Sequence, residues 1–233
     1  MTRNEYKEKL FKTYSLVSVL SRKNGGEVFR LRHKTLGRDV VFRSYPASVG
    51  AYAALLKITC PNLPYIYECL ELDDGQVVLE EYINGITLFD SAQTEKYSYG
   101  GAKKILREVL NALYVLHSLG IVHRDIKPEN VMLDKNGRVI LIDFNASRFV
   151  KPSGHDTVVL GTIGYASPEQ LGISQSDART DIYACGVLLN VMLTGVHPSE
   201  KIAKGRAGQI IRKCTSVNPN DRYKNAEALF NAL

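Results

Sequence analysis

The sequence predicts an α+β chain of two lobes, an N-terminal antiparallel β-sheet carrying one helix and a mainly α-helical C-terminal lobe. Three observations predict it. Short β-branched and apolar runs separated by tight turns occupy residues 14–83. After Asn84-Gly85 the hydrophobic period changes to three and four residues. The 233 residues are enough to build two lobes with substantial cores.

In the first lobe, Tyr14 to Leu20 and Glu27 to Leu31 flank the turn-like Lys23-Asn24-Gly25-Gly26, as the strands of a hairpin do. Asp39 to Tyr45 forms a third strand that ends at Pro46. Val49 to Ile58 is rich in Ala and Leu and reads as a short helix, stopped by Pro61. Tyr65 to Leu72 and Gln76 to Ile83 enclose Asp73-Asp74-Gly75, a strong hairpin signal. The expected sum is an antiparallel sheet with one helix, over residues 1–83.

The second lobe is expected over residues 84–233, after a hinge near Glu81 to Gly85. Ala102, Ile105, Leu106, Val109, Leu110, Leu113 and Leu116 form one apolar stripe, so a helix covers them and ends near Gly120. Two short strands, Asn130 to Leu133 and Val139 to Ile142, surround the turn Lys135-Asn136-Gly137. Asp181 to Leu193 is apolar almost all round, as a buried central helix is. Little length remains between Pro198 and Ile210 for a further helix. A cleft between two such lobes is a favoured ligand site.

Composition narrows the function classes without selecting one. Hydrophobic residues make up 45% and charged residues 23% of the chain, which excludes a disordered or low-complexity protein. The net charge of +6 is spread in short groups such as Arg30/Arg32/His33/Lys34, a solvated surface more than a nucleic-acid interface. Cys60, Cys69, Cys185 and Cys214 show no Cys-x-x-Cys spacing, so reduced thiols in a cytoplasm are expected. No run approaches the ~18 apolar residues of a membrane helix. The oligomeric state is not legible.

The chemistry concentrates in His123-Arg124-Asp125-Ile126-Lys127-Pro128-Glu129-Asn130, followed by Asp143 after the next hairpin. One loop thus offers a carboxylate, an ammonium and a carboxamide. Phosphoryl transfer uses such groups to orient the attacking hydroxyl, to neutralise phosphate charge and to ligate a metal. The loop resembles the catalytic loop of eukaryotic-like Ser/Thr protein kinases, and Asp143-Phe144-Asn145 is similar to their metal-binding DFG motif. The resemblance continues in the family's order. Gly161 to Glu169 is similar to the end of the activation segment, Asp181 to the aspartate that holds the catalytic-loop backbone, and Arg222 to the partner of that segment's glutamate, Glu169.

The resemblance implies a bilobal kinase fold, ATP and magnesium as cofactors, and a protein substrate. Asp125 would accept the substrate hydroxyl proton, Lys127 would neutralise the transferring phosphate, and Asn130 with Asp143 would hold magnesium. Leu20 and Val28 would cover the adenine, Val41 would lie beside it, Met132 would form its floor, and backbone groups of Glu81 and Ile83 would bond its edge. His123 and Phe144 would be packed core members. Arg124, before Asp125, would answer phosphorylation in the activation segment, with Thr157 as acceptor and Thr162 beside the substrate site.

The nucleotide-binding half departs from the family's pattern. Ser21-Arg22-Lys23-Asn24-Gly25-Gly26 keeps only the last glycine of the expected phosphate loop. Arg43 stands where a lysine is expected, and no acid lies near Ala51 and Tyr52 to pair with it. Glu80, just before the hinge, is the expected substitute partner of Arg43, since a lone carboxylate there is expensive to bury. Lys23 or Arg22 is an alternative source of phosphate-binding charge. The leading expectation is phosphorylation of protein Ser or Thr by a minimal, bacterial-type kinase. A pseudokinase that binds nucleotide or a partner without transfer is the alternative, and a small-molecule kinase a weaker third.

Overall fold

The structure, a computed structural model, describes residues 1–92, 96–150, 164–171 and 176–233. Two units are distinguishable, residues 1–60 with 64–84 and residues 61–63 with 85–233.

The first unit contains α1 (Arg3–Thr13), β1 (Tyr14–Lys23), β2 (Gly26–His33), β3 (Asp39–Tyr45), α2 (Gly50–Leu55), β4 (Ile66–Leu72) and β5 (Gly75–Glu81). Its five strands form an antiparallel sheet in the order β1-β2-β3-β5-β4. Asn24 and Gly25 join β1 to β2 with φ of 51° and 72°. Positive φ at both positions is what a two-residue hairpin turn requires to match strand twist.

Expecting one helix in this unit is corrected by α1. Thr2 and Glu5 close a reciprocal capping box at its start. Its composition is polar, and only Tyr6 and Leu10, one turn apart, are buried. They pack on Phe29, Leu31, Val40, Phe42, Val77 and Leu79, with the Tyr6 ring stacked 6.2 Å from that of Phe42. Two apolar side chains are too thin a stripe to announce a helix; the sheet surface beneath them supplies the missing burial. The second helix, expected over Val49–Ile58, stops at Leu55 because Lys57 turns left-handed with φ 69°.

Directly opposed residues of paired strands share a sheet face. Arg43 opposes Val28 and Val78, and Val41 opposes Arg30 and Glu80. These six therefore lie on one face, and the alternating residues Phe29, Phe42 and Leu79 lie on the face that α1 covers.

The second unit contains β6 (Gly85–Thr87), α3 (Leu88–Ala92), α4 (Tyr99–Ser118), β7 (Ile121–Val122), β8 (Val131–Asp134), β9 (Val139–Leu141), β10 (Arg148–Phe149), α5 (Ala178–Thr194), α6 (Gly205–Cys214) and α7 (Ala226–Ala232). Strands pair in the orders β6-β8-β9 and β10-β7. The apolar stripe read from the sequence is the buried face of α4, whose first turn is capped by Ser98. Segment 61–63 belongs here because Asn62 donates to Val139 O at 2.8 Å and to Glu108 Oε2 at 2.6 Å, while Leu141 N donates to Asn62 O at 2.9 Å.

Helix α5 is buried along most of its length, starts at the Asp177 cap and ends at Gly195 in left-handed geometry. Residues 195–204 form no helix, but α6 starts at Gly205, inside the stretch from Pro198 to Ile210 that the sequence reading left little length for one. Helix α6 packs on α5 at Gly186, where a Cβ would stand 2.4 Å from Cys214 Cβ. Gly186→Ala is therefore expected to force α5 and α6 apart and lower unfolding stability by about 1–3 kcal/mol, read as an earlier urea midpoint.

Candidate functional site

In the second unit, the loop 123–130 runs from β7 to β8, and its shape is imposed from below by Asp181. That carboxylate is fully buried in the first turn of α5. It accepts the backbone N–H of His123 at 2.9 Å and of Arg124 at 2.8 Å, and lies 2.9 Å from His117 Nε2. Hydrogen bonds to a buried charge are among the strong ones. They hold Arg124 at φ 69°, a left-handed conformation that non-glycine residues seldom adopt.

The turn brings three of the expected residues together. Asp125 Oδ2 lies 2.8 Å from Lys127 Nζ and accepts from Asn130 Nδ2 at 2.8 Å. Asn130 Nδ2 also donates to the Asp125 carbonyl at 2.8 Å, which turns the amide Oδ1 away from Asp125. Ile142 N donates to Asn130 O at 2.9 Å, so Asp143 follows directly on the strand contact of Asn130. Asp143 is itself left-handed, with φ 67°. His123 and Phe144 are fully buried, with rings 5.6 Å apart edge to face. Burial lowers the His123 pKa below its usual value, and Asp125 N donates to His123 Nδ1 at 3.3 Å. The imidazole is a neutral core group.

Beyond this loop, Glu169 and Arg222 form a buried two-pronged pair, with Nη1–Oε1 of 2.6 Å and Nη2–Oε2 of 2.9 Å. The remaining Arg222 donors go to the carbonyls of Ser216, Arg179 and Val217. Burial alone would raise the Glu169 pKa, but the hydrogen bonds from Arg222 hold it below the ordinary 4.5. Gln170 links the segment to the loop, its Nε2 donating to Arg124 O at 2.8 Å. The Arg124 side chain is buried at 2% exposure, while Thr157 and Thr162 lie outside the described residues, as do Gly161 to Ile163.

The profile of the protein kinase domain family matches residues 52–231. The chain belongs to the protein kinase domain family. It is 30% identical to the serine/threonine-protein kinase PknB of Mycolicibacterium smegmatis, over 85% of this chain and 34% of that protein. It is 33% identical to serine/threonine-protein kinase D of Synechocystis, over 74% of this chain and 38% of that one. With CBL-interacting serine/threonine-protein kinase 20 of Arabidopsis thaliana it shares 26% identity, over 96% and 58%. The chain thus spans between about a third and somewhat over half of the length of these curated relatives.

The match begins at Tyr52, after the altered loop 21–26 and Arg43, and it includes Glu80. In the first unit of this kinase domain, Arg43 Nε donates to Glu80 Oε1 at 2.7 Å, the substitute pairing expected from sequence. Side-chain exposures of 8% and 4% make it a buried ion pair. Arg43 Nη1 also donates to Tyr45 Oη at 3.2 Å, that hydroxyl is 3.3 Å from Tyr52 Oη, and the guanidinium lies over the Tyr52 ring at 5.9 Å. Sequence reading missed the two tyrosines. Tyr45 was signalled by its position two residues after Arg43 on one strand face; Tyr52, on α2, had no local signal.

Val28 and Val41 share the sheet face of Arg43, while Leu20 is 51% exposed at the end of a bulge in β1. Glu81 closes β5 with its N–H given to Tyr65 O at 2.8 Å, and Ile83 is buried. Met132 lies in β8 of the second unit. Arg22 opposes Glu27 and stands 5.4 Å over Phe29, on the face covered by α1. It is thereby turned away from the face of Arg43, which counts against its replacing the missing lysine.

Among the described residues no group of three or more His, Cys, Asp or Glu is placed to hold a metal, and no helix is long and apolar enough to cross a membrane. Magnesium, however, keeps its waters and takes one or two protein oxygens besides phosphate, and an amide Oδ1 with a carboxylate is a hard-oxygen set of that kind. Asn130 and Asp143 fit it.

Removing one partner of the buried pair strands the other. Arg43→Ala is expected to cost about 3–5 kcal/mol in urea unfolding, and Arg43→Met with Glu80→Leu to recover most of it. Because the Glu169 pKa is depressed, its stabilisation is complete above about 4.5 and is lost as pH falls through the lower folded value. Thermal midpoints across pH 3–6 are expected to show a fall on acidification that is smaller in Arg222→Ala.

Proposed function

We propose that this kinase domain transfers the γ-phosphoryl group of ATP to Ser or Thr hydroxyls of a protein, with magnesium. The observation that carries the reading is Asp125 Oδ2 held 2.8 Å from both Lys127 Nζ and Asn130 Nδ2, in a loop pinned by Asp181. In the transfer, the substrate oxygen bonds to the γ-phosphorus, the bond to the bridging β–γ oxygen breaks, and ADP leaves. Asp125 accepts the hydroxyl proton, and the flanking Lys127 cation and Asn130 amide fix which oxygen of Asp125 receives it. Lys127 also balances charge on the transferring group. Asn130 and Asp143 would hold magnesium, which would supply further neutralisation of the phosphates.

For the nucleotide, the reading assigns Leu20, Val28, Val41 and Met132 to the adenine faces and backbone groups of Glu81 and Ile83 to its edge. Arg43 contributes a fixed positive charge, since Glu80 and Tyr45 already hold its guanidinium. The described cysteines are free thiols, which suits a cytoplasmic chain.

The commitment of Arg43 to Glu80 also favours a second reading, a pseudokinase. Thermal shift with ATP, with and without magnesium, followed by phosphate incorporation into a mixed protein substrate, separates the two. Transfer by the wild type that drops about 10²- to 10⁴-fold in Asp125→Ala supports the kinase. ATP binding with no incorporation above the Asp125→Ala background rejects it in favour of the pseudokinase.

A further inference from the structure

We propose that the groove between α4 and α7 of the second unit docks an acidic, extended segment of a partner protein. The groove, about 290 Å³, is lined along α4 by Gly100, Lys103, Lys104, Arg107 and Glu108, and across from them by Phe230 of α7. Intervals of three and four residues put the α4 members on one helix face. The loop 123–130 follows the other, C-terminal end of α4, so the groove is separate from the residues assigned to transfer. The inference does not rest on the kinase reading.

The charge of this face is unbalanced. Three cations stand beside one carboxylate, Glu108, the only acid in α4, which leaves two positive charges in excess. Glu108 is turned to Asn62, whose Nδ2 donates to its Oε2 at 2.6 Å, and it makes no ion pair with Lys104 one turn earlier. Among the described residues the side chains of Lys103, Lys104 and Arg107 meet no carboxylate and no hydrogen-bond acceptor. Glu227, one turn before Phe230 in α7, pairs with none of them. Arg107 instead lays its guanidinium against the Phe230 ring, 4.8 Å from the centroid. That stacking holds a charge at the wall of the groove and supplies no counter-ion.

Spacing and polarity select the partner. Lys103 and Arg107 lie one helical turn apart, ~5–6 Å between their Cβ atoms. In an extended peptide alternate side chains point the same way at a separation of ~6.6–6.8 Å, so two acidic residues that flank a third can each meet a cation. The Phe230 ring and Gly100, where an added Cβ would meet only Ser98 Oγ at 4.0 Å, offer surface to apolar atoms of the same segment. A nucleic-acid backbone draws its affinity from many phosphate contacts, and three cations beside an aromatic wall are few for it. The volume is at the low end of small-ligand sites, which suits one or two side chains of a longer segment.

The test is a titration of the ¹⁵N-labelled chain, at physiological ionic strength and without nucleotide, with a capped peptide in which glutamate alternates with leucine and serine. The same peptide with glutamine for glutamate and a single-stranded DNA oligonucleotide are the comparison arms. Saturating amide shifts clustered at residues 100–111 and 227–231 are expected with the acidic peptide and not with the glutamine peptide. Lys103→Gln with Lys104→Gln should weaken that binding about threefold or more. Neither lysine is buried, so the variant is expected to fold, which an unperturbed amide spectrum elsewhere would verify. Equal shifts with the glutamine peptide, shifts confined to residues 123–130 or to other surfaces, or an unchanged titration in the double variant would each overturn the assignment. Tighter binding of the oligonucleotide at residues 100–111 would overturn it in favour of a nucleic-acid surface.

Discussion

The second unit depends on a carboxylate that faces no solvent. Asp181 sits at the start of α5 and takes the backbone N–H groups of His123 and Arg124. A buried charge is tolerated only when its acceptor sites are filled, so the loop and the helix need each other. Arg124 has the left-handed backbone this arrangement demands, and strain of that kind survives only where neighbours over-determine it. Asp125, Lys127 and Asn130 then converge because the loop has no other course.

Two further buried ion pairs show the same economy with different purposes. Arg222 spends all its donors on Glu169 and three carbonyls, fastening the segment around Ser167-Pro168-Glu169 to the region that precedes α7. Arg43 and Glu80 lie on adjacent strands of one sheet, so their pairing is set by β3–β5 register. In this chain the acid comes from the sheet, and α2 instead presents the ring and hydroxyl of Tyr52. The position of α2 is thereby uncoupled from any carboxylate partner of Arg43. Stability of such pairs is a matter of not leaving either charge alone, more than of net gain over an apolar pair.

The face of the first unit that α1 covers follows a different logic. Its core is apolar under Tyr6 and Leu10, while the rim between α1 and the hairpin is ionic. A polar helix is kept in place by two apolar side chains and the ion pairs at its rim.

By itself the sequence determined the strand-then-helix order, the stripe of α4, the buried α5 and the cluster from His123 to Asn130 with Asp143. These are legible because period and short spacing are local properties, and the chemistry of one loop is written in consecutive residues. The Arg43–Glu80 pairing was also legible, because a missing acid and an out-of-place one on neighbouring strands form a single discrepancy. Only the tertiary structure decided α1, the early stop of α2, the tyrosines around Arg43, and the grouping of Asn62 with the second unit. Each of these rests on contacts between residues far apart in the chain, where burial outweighs a weak or absent local signal.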